Sequence, residues 1–295
     1  MPMTPFPIHR ITSIGRPLDP AYATNRAVLW LMPAGGALAA LAWMLRGRGD
    51  PIAAGAAAIV AAAAVFGAWA LTRELAPDDN PAAFVSVGLA FATWLLAGAP
   101  SLLILFVTLF LARVINRTVG LPARITDSIA VAGMTVWVAL TVPGPLLGVV
   151  GALAFAGDAV LRDARRRQWI FAAVCLAGTA VALRRGLGPY DAAPLTAAHV
   201  WPIAIVSVAY VAVIVRTRHV ESSGDATGAP LSPSRVRAGM WIGLLVALQA
   251  LTAGAAGLEA TSLVWASLAG VVLGRTGGWV RRRAALRRTD SESFR

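Results

Sequence analysis

Long apolar runs alternate along this chain with short polar connectors, covering residues 27–45, 51–71, 82–98, 100–115, 128–142, 145–161, 168–183, 195–215, 238–256 and 258–274. A helix needs about 20 apolar residues to cross the hydrocarbon of a bilayer, with about 17 to 25 tolerated. Ten such runs predict an all-α, polytopic membrane bundle of about ten transmembrane helices. Very short turns at Gly98-Ala99-Pro100, at Pro143-Gly144-Pro145 and around Gly257 make helical hairpins of 82–115, 128–161 and 238–274, some arms of which are close to the minimum spanning length. Residues 1–26 form a polar segment whose following run starts late and is long enough to stay as an anchor. The transmembrane domain is 27–275, and 276–295, with arginines followed by Thr-Asp-Ser-Glu-Ser, reads as a basic disordered tail. Glu221 to Pro233 is the one clear linker.

Charge orients this layout. All 26 basic residues are Arg, and 22 of them fall in the N-terminal segment, every second connector and the tail, against 4 (Arg46, Arg48, Arg184, Arg185) on the other side. By the positive-inside rule both termini are expected in the cytoplasm of a cell (inner) membrane. Lys is absent beside abundant Ala, Gly, Pro and Arg, the codon bias of a GC-rich and, on this reading, bacterial genome. A chain that is 58% hydrophobic and 14% charged has more apolar surface than one core can hide, so the bilayer is its first partner. The net charge of +12 lies in short loops without aromatic grooves or nucleic-acid motifs, which points to anionic lipid headgroups and away from nucleic acid. The single Cys175 says nothing about redox compartment.

Lipid gives no hydrophobic contrast between Leu and Leu, so helix association depends on small residues that let backbones approach. Ala266, Gly270 and Gly274 form such a seam, as do Gly243 with Ala247 and Gly148 with Ala152, and the same seams offer surfaces for homo- or hetero-oligomers. The second run is so rich in Ala that its place is inside the bundle. Arg73, Leu75, Pro77 and Asp79 recur as Arg185, Leu187, Pro189 and Asp191, an echo that chance or an inverted five-helix repeat with halves 27–142 and 145–275 would produce.

Carboxylates are few and gather at the expected cytoplasmic ends: Glu74, Asp78 and Asp79 after the second run, Asp127 at the fifth, Asp158 and Asp163 around the end of the sixth. Arg113, Asn116 and Arg117 share a face at the end of the fourth by their three- and four-residue spacing. Two readings follow. In one, the Arg pair grips a phosphate or carboxylate while carboxylates hold Mg²⁺; in the other these charges form a solvated interfacial salt-bridge belt, except Asp158, which lies just inside the hydrocarbon boundary and is satisfied by Arg162 one turn away. Mid-depth positions carry hydroxyls and Gln249 but no ionisable group, which argues against strong ion coupling.

No motif assigns the chain to a family. Its layout resembles that of drug/metabolite-type permeases in architecture alone. The first expectation is therefore a permease for a small organic solute, needing no cofactor, with Arg113, Asn116, Arg117, Tyr210, Gln249 and Thr252 as substrate-binding candidates. The second is a lipid- or isoprenoid-processing enzyme similar in layout to intramembrane prenyltransferases. That reading makes Asp78, Asp79 and Asp158 catalytic and adds Glu74 and Asp163 as Mg²⁺ ligands, though the Asn-Asp-x-x-Asp pattern expected there is missing. The third is a non-catalytic membrane subunit.

Overall fold

The computed structural model describes residues 11–47, 50–96, 100–141, 144, 146–186 and 193–293, the last sixteen by backbone only. Most of these residues are helical, and none of them belongs to a named strand. In chain order the helices are α1 (Ala23–Leu45), α2 (Pro51–Leu75), α3 (Asn80–Leu96), α4 (Leu102–Asn116), α5 (Ile125–Thr141), α6 (Leu147–Val160), α7 (Gln168–Arg184), α8 (Ala197–Arg216), α9 (Pro233–Ala250), the short α10 (Gly254–Ala260) and α11 (Ser262–Ser293). Among the described residues each of the first eight apolar runs falls on one helix, whereas 238–256 covers most of α9 and part of α10, and 258–274 the end of α10 and the start of α11.

Local chemistry fixes many of the ends. Asp50 caps α2 by accepting from Ile52 N at 2.9 Å, and Pro51 sits in the first turn, where its missing N–H costs nothing. Asp79 caps α3 through Ala82 N at 3.2 Å, Ser101 caps α4 through Ile104 N at 3.3 Å, and Pro233 opens α9. The hairpin expected around Gly257 takes a different form. A 3-10 turn at Leu251–Ala253 ends α9, Gly257 lies inside α10, and the chain reverses over all of these residues. The backbone of α11 continues as helix to Ser293, through the segment that composition reads as disordered.

Four helical stretches are long and apolar enough to cross a membrane: Ala23–Leu45, Pro51–Leu75, Ala197–Arg216 and Pro233–Ala260. The helices α3 to α7 are apolar but have 14 to 17 residues. At 1.5 Å per residue they reach about 21 to 26 Å, short of a hydrocarbon core of about 30 Å, so length and composition together single out four candidate spans among the described residues, and ten are not shown.

Contacts between connectors divide the bundle into two ends. Arg16 before α1, Glu74 at the end of α2, Arg113 at the end of α4, Asp158 at the end of α6, Gln168 at the start of α7, Asp225 between α8 and α9, and Arg235 at the start of α9 all join one hydrogen-bonded region. At the other end Arg46 meets Leu95 O, Ser101 N meets Ala260 O, and Ala255 N meets Ala193 O. Successive long helices therefore run back and forth between a basic end and an opposite end.

The interior is packed as the small-residue pattern predicts. α2 touches α1, α3, α4, α9 and α11, and buries Ala54, Ala57, Ala61, Ala64 and Ala68. The seam on α11 lies against α3: a side chain at Gly270 would strike Ser86, and one at Gly274 would strike Ala82. Gly148 on α6 approaches Cys175 and Thr179 of α7 in the same way. The outside is apolar, with Trp30 75%, Ile52 83%, Ile59 73% and Val208 72% exposed, a surface that water does not favour and acyl chains do. Packing of the two halves differs. α3 packs extensively on α2 and α11, whereas α8, its counterpart in a five-helix repeat, packs on α9 and α11 and makes no comparable contact with α7 or α5 among the described residues. Leu187, Pro189 and Asp191 of the echo lie outside the described residues.

Candidate functional site

Two carboxylates with no solvent exposure organise the basic end. Glu74, one residue before the end of α2, accepts from Arg113 Nε at 3.0 Å and Arg16 Nη1 at 3.3 Å, and from the Thr118 hydroxyl. Its own carbonyl accepts from Asn116 Nδ2 at 2.8 Å. Gly239 of α9 makes room for that amide, because any side chain there would overlap Asn116. Arg16 continues outward to Asp225, 2.5 Å from its Nε. Burial works against the Arg16 charge, but Glu74 and Asp225 outweigh it and hold the guanidinium above its ordinary pKa.

Asp158, near the end of α6, is the second centre. Its Oδ1 accepts from Arg117 Nε at 2.8 Å and Arg235 Nη1 at 2.7 Å, and its Oδ2 from Gln168 Nε2 at 3.1 Å. Gln168 is oriented in turn by the Ser128 hydroxyl, 3.1 Å from its Oε1. Arg235 also donates to the carbonyls of Ile115 and Arg162, at 2.9 and 2.5 Å. A buried carboxylate with several charge-assisted donors is fully satisfied, and removing any one partner leaves a charge stranded in low dielectric.

A third group seats the N-terminal segment: Asp127 accepts from Ser13 N at 2.8 Å and from Ser13 Oγ at 2.6 Å, while Arg113 Nη1 reaches Ile14 O at 3.2 Å. Residues 13–16 thus lie across the ends of α2, α4 and α5.

The sequence places Arg113, Asn116 and Arg117 on one face, but the structure separates them. Arg117 caps α4 in the left-handed region with φ 53°, which turns its side chain from the Glu74 group to Asp158. The Arg pair consequently holds two carboxylates and no common anion. The salt-bridge belt is present, buried where solvation was expected. Asp158 is satisfied by Arg117, Arg235 and Gln168, and the exposed side chain of Arg162 instead stands 4.0 Å from Asp163. Tyr210 on α8 is fully buried with no hydrogen bond to its hydroxyl among the described residues. Gln249 and Thr252 lie at the opposite end, where Gln249 approaches Gly144 and Thr252 bonds to Gln249 O at 2.7 Å. Gln249 is fourteen positions after Arg235 on α9, about 21 Å of helix rise, so the six substrate candidates do not form one pocket.

The carboxylates proposed for Mg²⁺ are equally dispersed. Glu74 and Asp158 are neutralised by arginines, Asp79 caps α3, Asp163 is exposed, and Asp78 accepts from Glu221 N, Ser222 N and Ser222 Oγ at 3.1, 2.8 and 2.6 Å. Among the described residues no three His, Cys, Asp or Glu side chains are grouped to hold a metal ion.

Sequence reasoning missed Arg16, Thr118, Gln168, Asp225 and Arg235. Each sits in a connector or at a helix start where a polar side chain reads as solvated, and the signal in favour of the charged ones was the scarcity of carboxylates beside so many arginines.

No protein-family model, curated protein or solved structure matches this chain.

Proposed function

We propose that this chain is a multi-pass inner-membrane permease for a small organic solute, without strong ion coupling, closed at a cytoplasmic basic end by the Glu74 and Asp158 groups. The reading takes α1 to α9 and α11 as crossings, the short ones accommodated by local thinning of the bilayer. Charge asymmetry between connectors supports the orientation, with both termini in the cytoplasm. The apolar outer surface supports the bilayer as the solvent.

The observation that carries the proposal is the nature of the closure. Ends of α2, α4, α6 and α9 are joined by ion pairs removed from water. The Coulombic gain of a buried pair is largely offset by the desolvation of its members. Opening that rehydrates Glu74, Asp158 and their arginines therefore costs little net free energy, and two conformations of similar energy are what alternating access requires. The charged side chains of α1 to α9 lie near helix ends, in keeping with movement of a neutral solute without a coupled ion.

The test is solute exchange in proteoliposomes, followed by thermal stabilisation of the purified protein by any solute that exchanges. Flux of at least one solute that survives Asp78→Asn and Asp79→Asn is the expected result. A broad panel giving neither flux nor stabilisation removes the proposal, and stoichiometric copurification of a second membrane protein would replace it with the subunit reading.

A further inference from the structure

Beside the Glu74 group lies a crevice of about 280 Å³ lined by Arg16, Arg73, Thr118, Ser222 and Ser223, with Leu231 and Pro77 as its apolar wall. Arg73 precedes Glu74 and is half-buried, yet among the described residues it forms no hydrogen bond or ion pair. Every carboxylate that attracts it is already engaged: Glu74 by Arg16 and Arg113, Asp225 by Arg16, Asp78 by the backbone of Glu221 and Ser222. Its charged neighbour Arg16 repels it. A guanidinium left over after Glu74, Asp225 and Asp78 are engaged, facing a polar cavity, is the chemistry of anion recognition. Glu221 and Asp225 also line the crevice. Their charges set a size limit: they disfavour a large polyanion and leave room for a single compact group held by Arg73, with Ser223, which has no side-chain hydrogen bond among the described residues, as a second donor.

We propose that this crevice is a binding site for one phosphate-type anion at the basic end of the bundle, with Arg73 as its principal ligand. A free phosphate and the phosphomonoester headgroup of a lipid offer the same chemistry. The site sits among connectors, next to the N-terminal segment that Arg16 anchors. Occupancy therefore adds a negative charge beside the Arg16–Glu74–Arg113 group and ties the α8–α9 linker to α2. This inference is independent of solute transport.

The experiment measures thermal unfolding of the purified full-length protein with inorganic phosphate in detergent, and in nanodiscs containing phosphatidic acid or phosphatidylcholine alone. Phosphate is expected to stabilise the protein, and Arg73→Gln to weaken its apparent affinity about tenfold or more, the loss of one charge-assisted contact. Should Arg73→Gln fold poorly, Ser223→Asp keeps Arg73 and supplies an internal carboxylate, and it should abolish the phosphate response. Stabilisation by phosphate in detergent assigns a free anion; stabilisation only in phosphatidic acid nanodiscs assigns a lipid headgroup. No response to either probe, or an equal response in wild type and both variants, overturns the site.

Discussion

The two ends of this bundle are closed by different physics. At the basic end Glu74 and Asp158, both fully buried, bind four arginines drawn from the N-terminal segment, α4 and its cap, and α9. At the opposite end the connectors meet mainly through main-chain groups: Ser101 N donates to Ala260 O at 3.0 Å, Ala255 N to Ala193 O at 2.9 Å, and Arg46 Nη2 to Leu95 O at 3.1 Å. A main-chain hydrogen bond adds about 1 kcal/mol net and loses about that much when broken. A buried ion pair adds little net but costs several kcal/mol when half of it is deleted. The basic end is thus intolerant of single charge changes although its ion pairs add little net stability, and the opposite end is the reverse.

Asp158→Asn is the largest perturbation this contrast implies. Arg117 and Arg235 would share no counter-charge in a region that excludes water, for a loss of about 3–5 kcal/mol. Denaturant unfolding in detergent reads it directly, and adding Arg235→Met should recover part of the loss by removing one stranded cation. A loss below about 1 kcal/mol would mean that water reaches the site and that the ends do not differ in kind. Glu74→Gln comes next, at about 1.5–3 kcal/mol, the scale of charged hydrogen bonds. The smaller figure follows because Arg16, 21% exposed, keeps Asp225.

That ordering also marks what the amino-acid pattern reveals. Ten apolar runs, the interior place of the Ala-rich second helix and the Gly270–Gly274 seam were legible because period, length and side-chain size are local properties. The concentration of charge at one end was legible too, since alternate connectors carry the arginines. The pairing was not. Arg113 and Arg117 are four residues apart and read as neighbours, but the left-handed cap at Arg117 breaks the helical register between them. Arg235 lies 77 residues from Asp158, and its role depends on α9 packing against α4 and α6, which no local pattern encodes. Asp158 itself was recognisable as a buried acid from its depth in the run; its partners were not.

Gly239→Ala tests the same end without touching charge. The added methyl overlaps the Asn116 amide and displaces it from the Glu74 carbonyl. Overpacking of this kind costs about 1–3 kcal/mol, and a double change with Asn116→Ala should be less harmful than Gly239→Ala alone. If the single variant is neutral, the close approach of α9 to α4 at this level is not required for the Glu74 group.

Arg162→Ala should do the least, and for that reason it sharpens the comparison most cleanly. Arg162 is one helical turn from Asp158 and by sequence is its nearest cation, so a belt of local pairs would lose a buried ion pair with this change, at several kcal/mol. In the structure only the Arg162 carbonyl takes part, accepting from Arg235, and any residue supplies a carbonyl. The side chain is 83% exposed and 4.0 Å from Asp163, a contact of the surface kind that contributes little. The variant should unfold within about 0.5 kcal/mol of wild type. Set beside Asp158→Asn, that near-silence would locate the destabilisation in the long-range partners from α4 and α9; an equally large loss would return Asp158 to its sequence neighbour and dissolve the connection between helix ends on which closure of the basic end depends.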